Sequence, residues 1–389
     1  MKRVLTIIAL TVAATAAHAQ FYYQDAKNPE MLRFAERHEP CRKEIILPSE
    51  VNGFNVYKAD LHSHTIFSDG QVIPRFRVRE AWQNGLDILA ITDHIEARRT
   101  EEALYEYLKA YTDKEYMPKI EGVKAGMVDL NFSVNQAKPE AEALGILIVP
   151  GTEISRSGAK VGHFNALFTT DNNTIYHDDV IEAIKNARKQ GAIVQHNHPG
   201  WSRTSNQMTE AEKIAYEQGL IDGVEVMNGK DFYPNIIDRA IEKGIYMCAN
   251  SDIHYSIAND YNVVGHMRPM TIVFAKDCTL DSVKDALKHR RSIAYAYDTL
   301  CGEEELLKDF FCASVRLTLL PGQNEVCRLT NLTSLPYILQ RGSGNYFRLD
   351  PLSSITISLS KKTGEVPLTV VNAWVSQDKR LKVSLKAEK

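Results

Sequence analysis

Two histidines one residue apart, His62 and His64, are the first residues of this sequence whose types and spacing could do chemistry. They follow a strand-like run that ends at Leu61. At the end of an extended strand, residues i and i+2 point the same way. The two imidazoles can therefore hold one metal ion together. Asp252 and His254 repeat the spacing much later in the chain.

Further histidines and acidic residues lie on or just after successive predicted strands. With the first two pairs they form this set: His62, His64, Asp69, Asp93, His94, Glu153, His163, His196, His198, Asp252 and His254. A lone histidine at a strand end is more often a structural hydrogen-bonding residue, but chance explains so large a set poorly. Imidazole and carboxylate ligands suit zinc, iron or manganese. Because one zinc site uses only three protein ligands and a water, the set predicts two or three divalent metals, and Glu153 has two oxygens with which to bridge them.

The elements that must position these side chains alternate between strand and helix. Continuous apolar runs at residues 86–92 and 245–250 indicate buried strands, and residues 74–84 and 178–190 have helical spacing and stop at a glycine. About seven strand–helix units fit between residues 55 and 295, which predicts a parallel β/α barrel. In such a barrel the carboxyl ends of the strands form the face that carries the active site.

The pattern changes after about residue 300. Short runs such as residues 354–360 and 381–385 alternate polar and apolar side chains, with turn residues between them. This texture predicts a small antiparallel β domain of sandwich type. The predicted organisation is therefore a signal peptide at 1–19, a lead-in at 20–54, the barrel at 55–298 and the C-terminal β domain at 299–389.

The N-terminus has the features of a secretory signal peptide. Lys2 and Arg3 precede an apolar run at residues 4–14, and Ala17-His18-Ala19 is a small-x-small cleavage pattern. The run is shorter than the ~20 residues that a membrane span needs, and we predict no transmembrane segment. The expected location is periplasmic or secreted.

Composition excludes some partners and scaffolds. The net charge of −3 gives no general basic field, so nucleic acid is expected only as a possible small-fragment substrate. Six cysteines without a CxxC pair indicate neither a disulfide scaffold nor a zinc knuckle, and we favour free buried thiols.

The candidate motifs, taken in order, resemble those of a known family. Asp60-Leu61-His62-Ser63-His64, Thr92-Asp93-His94, Gly151-Thr152-Glu153, His198-Pro199 and Ser251-Asp252-Ile253-His254 resemble the successive motifs of the PHP (polymerase and histidinol phosphatase) superfamily. The resemblance covers roughly residues 55–295. It implies an α/β fold with a distorted seven-stranded (β/α)7 barrel, a centre of three metals, and hydrolysis of phosphoesters. The sequence around Trp82, His94 and Trp201 resembles the exported phosphodiesterase branch.

The resemblance also assigns ligands residue by residue. The first metal is expected at His62, His64, Glu153 and Asp252. Glu153 then bridges to a second metal at His163 and His198, and the third takes Asp69, His94 and His254. His198 is preferred to His196 because Pro199-Gly200 follows it, as in the family. Glu153, Asp252 and His254 are the predicted catalytic residues, and Asp93 is expected to orient a neighbouring histidine.

The mechanistic hypothesis is attack on phosphorus by a metal-activated hydroxide, with cationic side chains holding the phosphate oxygens. The best candidate cations are Arg156, Lys160 and Arg203, since a guanidinium matches phosphate in bidentate fashion. A solvated surface charge is the plainer interpretation of each. The expected partner is a small phosphoester, a diester or a small monoester.

Two other functions fit part of the pattern. An amidohydrolase-type barrel also starts with His-x-His, but it expects a lysine where Glu153 stands. A catalytically silent metal-binding surface protein is the other, although a silent protein need not keep a full ligand set. The β domain could cap the barrel, bind a surface polymer or mediate a homo-oligomer.

Overall fold

The computed structural model describes residues 23–25, 27–34, 42–96, 129–156, 160–262, 266–360 and 363–388. The predicted signal peptide at 1–19, Cys41 and the predicted helix at 101–116 lie outside these residues. The first 41 residues form a unit of their own. In it, β1 (Tyr23–Asp25) pairs antiparallel with β2 (Leu32–Phe34).

A ring of seven strands forms the centre of the second unit, residues 42–389. The strands of this part of the chain are β3 (Glu50–Val51), β4 (Phe54–Asp60), β5 (Ile88–Ile91), β6 (Leu147–Ser155), β7 (His163–Leu167), β8 (Ile193–Asn197), β9 (Gly223–Asn228), β10 (Asp231–Phe232) and β11 (Tyr246–Asn250). Parallel pairing joins β4 to β5, β5 to β6, β8 to β9 and β9 to β11. A parallel bridge between Ser63 and Ile253 closes the ring from β11 back to β4.

One strand of the ring departs from the all-parallel expectation. Strand β7 runs antiparallel to both of its neighbours, β6 and β8. The physical reason is the connection, because residues 156–162 are too few for the crossover of a dozen or more residues that parallel pairing needs. The barrel is therefore distorted in the way that the family resemblance implies.

Helices pack against the strands of the ring and of the sheets beyond it, and local sequence sets where several of them begin and end. They are α1 (Pro74–Gln83), α2 (Phe132–Leu144), α3 (Val180–Lys189), α4 (Glu210–Glu217), α5 (Pro234–Lys243), α6 (Leu280–Lys288) and α7 (Glu304–Ser314). Thr209 and Glu212 form a reciprocal capping box at the start of α4. Gly145 and Gly244 end α2 and α5 in the left-handed conformation that glycine adopts without strain.

The sheet continues beyond the ring into the C-terminal region. The later strands are β12 (Met270–Ala275), β13 (Ser292–Ala296), β14 (Thr299–Cys301), β15 (Val315–Leu319), β16 (Val326–Asn331), β17 (Tyr337–Gln340), β18 (Tyr346–Leu349), β19 (Ser354–Ser358), β20 (Glu365–Trp374) and β21 (Arg380–Lys386). Strand β12 pairs antiparallel with β4, and β13 and β14 follow it. Strand β14 then pairs with β20, so β17, β18, β20 and β21 extend the same large sheet.

The remaining C-terminal strands, β15, β16 and β19, form a separate antiparallel sheet. Both C-terminal groups contribute to one apolar core, in which Leu329, Tyr337 and Leu368 lie with Leu89 of β5 and Phe274 of β12. The predicted α/β barrel with C-terminal antiparallel strands is confirmed. The C-terminal sheets therefore pack directly on the barrel through a shared apolar core.

Within the part of the chain that the structure describes, five cysteines are free thiols, of which Cys248, Cys301 and Cys327 are buried. No helix in this part is long and apolar enough to cross a membrane.

Candidate metal centre

The ends of β4 and β11 bring together the two pairs with i, i+2 spacing, His62 with His64 and Asp252 with His254. Asp252 donates its backbone N–H to the carbonyl of His62 at 3.0 Å, and His64 donates to Ile253 at 3.1 Å. The Nε2 atoms of His62 and His64 lie 3.1 Å apart, and Asp252 Oδ1 lies 3.1 and 3.0 Å from them. Two buried imidazoles and one carboxylate thus converge on one point.

Glu153 on β6 is at the centre of the cluster. Its Oε1 lies 3.3 Å from His163 Nδ1 and 3.5 Å from His198 Nε2. Its Oε2 lies 2.8 Å from His94 Nδ1 and 3.6 Å from His64 Nε2. A buried carboxylate with imidazoles on both oxygens has the position that a bridging ligand requires.

Asp69 gathers the third group at the open side of the cluster. Its Oδ1 lies 3.2 Å from His254 Nε2, and its Oδ2 lies 3.3 Å from His94 Nε2. The ring of His64 stacks on that of His254, with the centroids 4.2 Å apart. His64 therefore touches both the first and the third groups.

The donor atoms fall into four overlapping sets, each within a 4.8 Å span. They are His64–Asp69–His94–His254, His62–His64–Glu153, His62–His198–Asp252 and Glu153–His163–His198. The expected second and third ligand groups each lie within one set, whereas the expected first group is divided between two. We call the nine residues together the nine-ligand cluster: His62, His64, Asp69, His94, Glu153, His163, His198, Asp252 and His254.

The donor atoms of these residues are of the kinds that bind divalent metals. Among the described residues, Asp69 Oδ1, Glu153 Oε2, His163 Nδ1 and Asp252 Oδ1 are buried without a hydrogen-bond partner. Buried polar atoms are normally paired, so unpaired acceptors aimed at shared points indicate ligand positions. Imidazole and carboxylate donors together suit zinc, manganese or iron.

Opposing charges shift the pKa values within the cluster. Burial alone would raise the pKa of Glu153, but the His94 and His62 imidazoles outweigh it and hold that pKa well below its usual range. Burial lowers the pKa of His94, yet Glu153 and Asp69 raise it to about 10. Burial, with repulsion from His94, lowers the pKa of His64 to about 4. Protons therefore compete with metals for some of these donors.

Glu225 on β9 belongs to the site, and the sequence reasoning missed it. Its Oε1 accepts a hydrogen bond from His62 Nδ1 at 2.9 Å, and its Oε2 accepts the backbone N–H of His198 at 2.8 Å. A carboxylate on Nδ1 leaves Nε2 of His62 facing the cluster. The available signal was a lone acidic residue in the otherwise apolar run from Gly223 to Met227.

Arg77 on α1 was missed as well. Its buried guanidinium donates to the carbonyls of His64 at 3.0 Å, Tyr255 at 2.9 Å and His254 at 3.3 Å. Its Nη1 also pairs with Glu80 at 2.6 Å. One side chain thus joins the segment after β4 to the segment after β11.

Asp93 holds the turn that follows His64. Its carboxylate accepts the backbone N–H and the hydroxyl of Thr65, both at 2.7 Å, and the hydroxyl of Ser68 at 2.7 Å. Ser68 Oγ lies 3.4 Å from His64 Nδ1. The expected orientation of a histidine by Asp93 is thus indirect, through this turn.

The three cations expected to hold phosphate are Arg156, Arg203 and Lys160, and their role in binding stays a prediction. Arg156 pairs with Glu96, Arg203 contacts both carboxylate oxygens of Glu212, and Lys160 is exposed. Carboxylates therefore already bind both guanidinium groups. His196 donates to the same Glu212 at 2.9 Å and faces Tyr216, away from the cluster, whereas His198 faces into it.

A cleft of about 580 Å³ reaches the nine-ligand cluster from solvent. Asp69, Asp252 and His254 form its inner wall, and Trp201 and Tyr255 lie on it as well. Among the described residues, Lys230 is the one lysine or arginine that lines the cleft.

Comparison with known proteins gives four findings. The model of the PHP domain family matches residues 60–289. A solved structure from Bacteroides vulgatus ATCC 8482, a two-domain protein containing a predicted PHP-like metal-dependent phosphoesterase, is 32% identical with a TM-score of 0.77. The match covers 90% of this chain and 99% of that one. An amidohydrolase from Chromobacterium violaceum is 16% identical over 52% of this chain and 89% of that one, with a TM-score of 0.34. No curated protein matches the chain.

Proposed function

Because the chain belongs to the PHP family, we propose that it hydrolyses phosphodiesters or small phosphomonoesters with two or three divalent metals in the nine-ligand cluster. The observation that carries this proposal is the convergence of nine imidazole and carboxylate side chains into four overlapping sets, two of which contain Glu153. A single-metal site would leave most of these donors without a role. Zinc, manganese and iron are the metals that such donors suit.

The metals, when bound, would lower the pKa of a water and neutralise charge on the phosphoryl oxygens. In the overall reaction water adds its oxygen to phosphorus, the P–O ester bond breaks, and the leaving alcohol takes up a proton. The protein's part is to hold the ligands in place. Glu153 is buried and lies between the ligand groups, whereas Asp252 and His254 face the cleft through which substrate must enter.

The cleft supports a small substrate. Its volume of about 580 Å³ lies within the range of small-molecule sites and is open to solvent. The charged groups of Arg156 and Arg203 are paired with carboxylates away from this cleft. A direct role for them or for Lys160 in binding phosphate stays a prediction, and Lys230 is a better-placed candidate.

We also propose that the protein acts in the periplasm or outside the cell. The support is the signal-peptide pattern of residues 1–19 described above. Detection of the mature chain in a periplasmic or culture fraction, with its N-terminus at Gln20, tests this. A cytosolic chain that still begins at Met1 would contradict it.

The function is tested with the mature chain reloaded with zinc, manganese or iron and assayed on bis-aryl and mono-aryl phosphates. We expect hydrolysis that a chelator abolishes and that His62→Ala with His64→Ala lowers by at least about 10³-fold, as expected when a metal site is dismantled. His289→Ala is the matched control, because His289 is an exposed histidine that directly follows α6. Undiminished activity in the His62/His64 double variant would refute the proposal.

An amide or lactone panel distinguishes the amidohydrolase alternative. Glu153 stands at the centre of the cluster, where that class expects a lysine. If the protein binds metal but hydrolyses neither the aryl phosphates nor the amides and lactones, the result would instead support a catalytically silent metal-binding protein.

A further inference from the structure

Trp201 is an exposed tryptophan beside the candidate metal centre. The residue is 49% exposed and lines the cleft. Its ring centroid lies 5.4 Å from that of His163 and 5.5 Å from that of His198, both tilted relative to it. Two ligand imidazoles thus brace the indole, while much of its surface stays open.

The backbone holds Trp201 in this place. Its N–H donates to the carbonyl of His198 at 2.9 Å. A Cβ on Gly200 would lie 2.1 Å from Asn206 Oδ1 and 2.9 Å from the Tyr233 ring, so a larger residue there would require both side chains to move. A large apolar side chain is therefore held in solvent by a constrained turn, at a cost that burial against a ligand would offset.

The outer cleft also carries a defined set of charges. Beyond Asp69, Asp252 and His254 of the cluster, its charged lining residues with described side chains are Lys230, Asp231 and Asp260. Lys230 is exposed, and in the described part of the chain it forms neither an ion pair nor a side-chain hydrogen bond. One cation and two carboxylates disfavour an additional anionic group on the organic part of a substrate.

We propose, resting on the proposed phosphoesterase function, that the substrate is a phosphoester whose organic group carries a planar ring and no second negative charge. The ring stacks on Trp201 while the phosphate lies at the nine-ligand cluster. Lys230 holds a phosphate oxygen. Trp201 adjoins the imidazoles of His163 and His198, so a ring one ester oxygen from phosphorus lies within its reach.

The ring interaction is tested by comparing phenyl phosphate with butyl phosphate on the metal-loaded enzyme. We expect Trp201→Ala to raise KM for phenyl phosphate about five- to tenfold and to leave KM for butyl phosphate within about twofold. Trp201→Phe keeps most of the preference for the ring. The control is Tyr346→Ala, an exposed aromatic residue on β18 that does not line the cleft. An equal rise in KM for both esters would show a merely structural role and overturn the proposal.

A binding measurement separates this proposal from the proposed function. Phenylphosphonate and butylphosphonate cannot be hydrolysed at an ester bond, so their affinities for the metal-loaded protein do not depend on turnover. We expect wild type to bind phenylphosphonate more tightly and Trp201→Ala to lose the difference. If the protein hydrolyses no phosphoester but still binds phenylphosphonate more tightly than butylphosphonate, the proposed function is refuted and the ring-binding site at Trp201 stands. Equal affinities in wild type would overturn the ring site.

The charges are tested on the same enzyme. Lys230→Met should raise KM equally for phenyl and butyl phosphate, because both carry the phosphate, whereas Lys213→Met on α4 should not. We expect 4-carboxyphenyl phosphate to be a poorer substrate than phenyl phosphate by about two- to fivefold. The double variant Asp231→Asn with Asp260→Asn should reduce this difference between the two substrates. An unchanged KM in Lys230→Met would overturn the role of Lys230 in holding phosphate. Equal turnover of the two aryl esters would overturn the exclusion of a second negative charge.

Discussion

Arg77→Met should weaken metal binding at the open side of the nine-ligand cluster. Arg77 donates three hydrogen bonds to the carbonyls of His64, Tyr255 and His254, at 2.9 to 3.3 Å. Methionine keeps the apolar stem but removes all of these donors. The segments after β4 and β11, which carry ligands from two of the three expected groups, then lose the side chain that joins them.

The magnitude follows from the burial of the pair. Arg77 is fully buried and Glu80 is 13% exposed, and removal of one member of such a pair costs ~3–5 kcal/mol because the other charge is left uncompensated. Loss of groups that orient ligands typically lowers metal affinity about 10- to 100-fold. We expect both effects, with the affinity loss at the set His64–Asp69–His94–His254.

The assay counts metal by mass spectrometry after dialysis against graded chelator, alongside urea unfolding of the metal-free protein. Arg79→Met is the matched control, since Arg79 lies on the same helix but is exposed and pairs with Glu140. The double variant Arg77→Met with Glu80→Met removes the stranded carboxylate and should regain part of the stability without regaining the metal. Full metal retention in a destabilised Arg77→Met protein would refute the reasoning.

Three further predictions concern the same protein. Glu225→Gln should lower metal affinity about 10- to 100-fold, because an amide orients His62 less firmly; chelator titration measures it, and an unchanged affinity would contradict this role for Glu225. Burial raises the pKa of Glu212, but His196 and Arg203 lower it to about 2 from an ordinary 4.5. Glu212 therefore contributes up to about 3 kcal/mol of stability above pH 4.5, which is lost as pH falls through 2. Glu212→Gln should make acid unfolding between pH 5 and 2 shallower, and an unchanged pH slope would count against that linkage. Metal removal should lower the thermal midpoint, because a ligand at 1,000 times its Kd stabilises the native state by about 4 kcal/mol; calorimetry with and without chelator measures the shift, and coincident midpoints would exclude tight binding to the native state.

The strands and their ends could be predicted because both depend on short-range pattern. Continuous apolar runs mark buried strands, and the i, i+2 spacing of His62 with His64 sets their common direction. Convergence of the ligands then follows from parallel strands in a ring, whose carboxyl ends share one face. The structure accordingly brings all nine predicted ligands together.

The direction of β7 and the continuation of the sheet through β14 into β20 could not be predicted in this way. Both depend on which strand edges meet after the chain has folded. Period-2 alternation in β21 predicts that Leu381 and Val383 are buried, but it does not say which sheet the strand joins.

By itself, the sequence determined the class of fold, the set of candidate metal ligands and the family, because these depend on local spacing and on the order of short motifs. Only the tertiary structure decided the partners of the charged side chains. It placed Glu225 against His62 and Arg77 against the carbonyl of His254, and it turned Arg203 towards Glu212. A buried charge contacts whatever the fold brings within about 3 Å. Except for Arg203 and Glu212, those partners are distant in sequence, so spacing along the chain does not predict them.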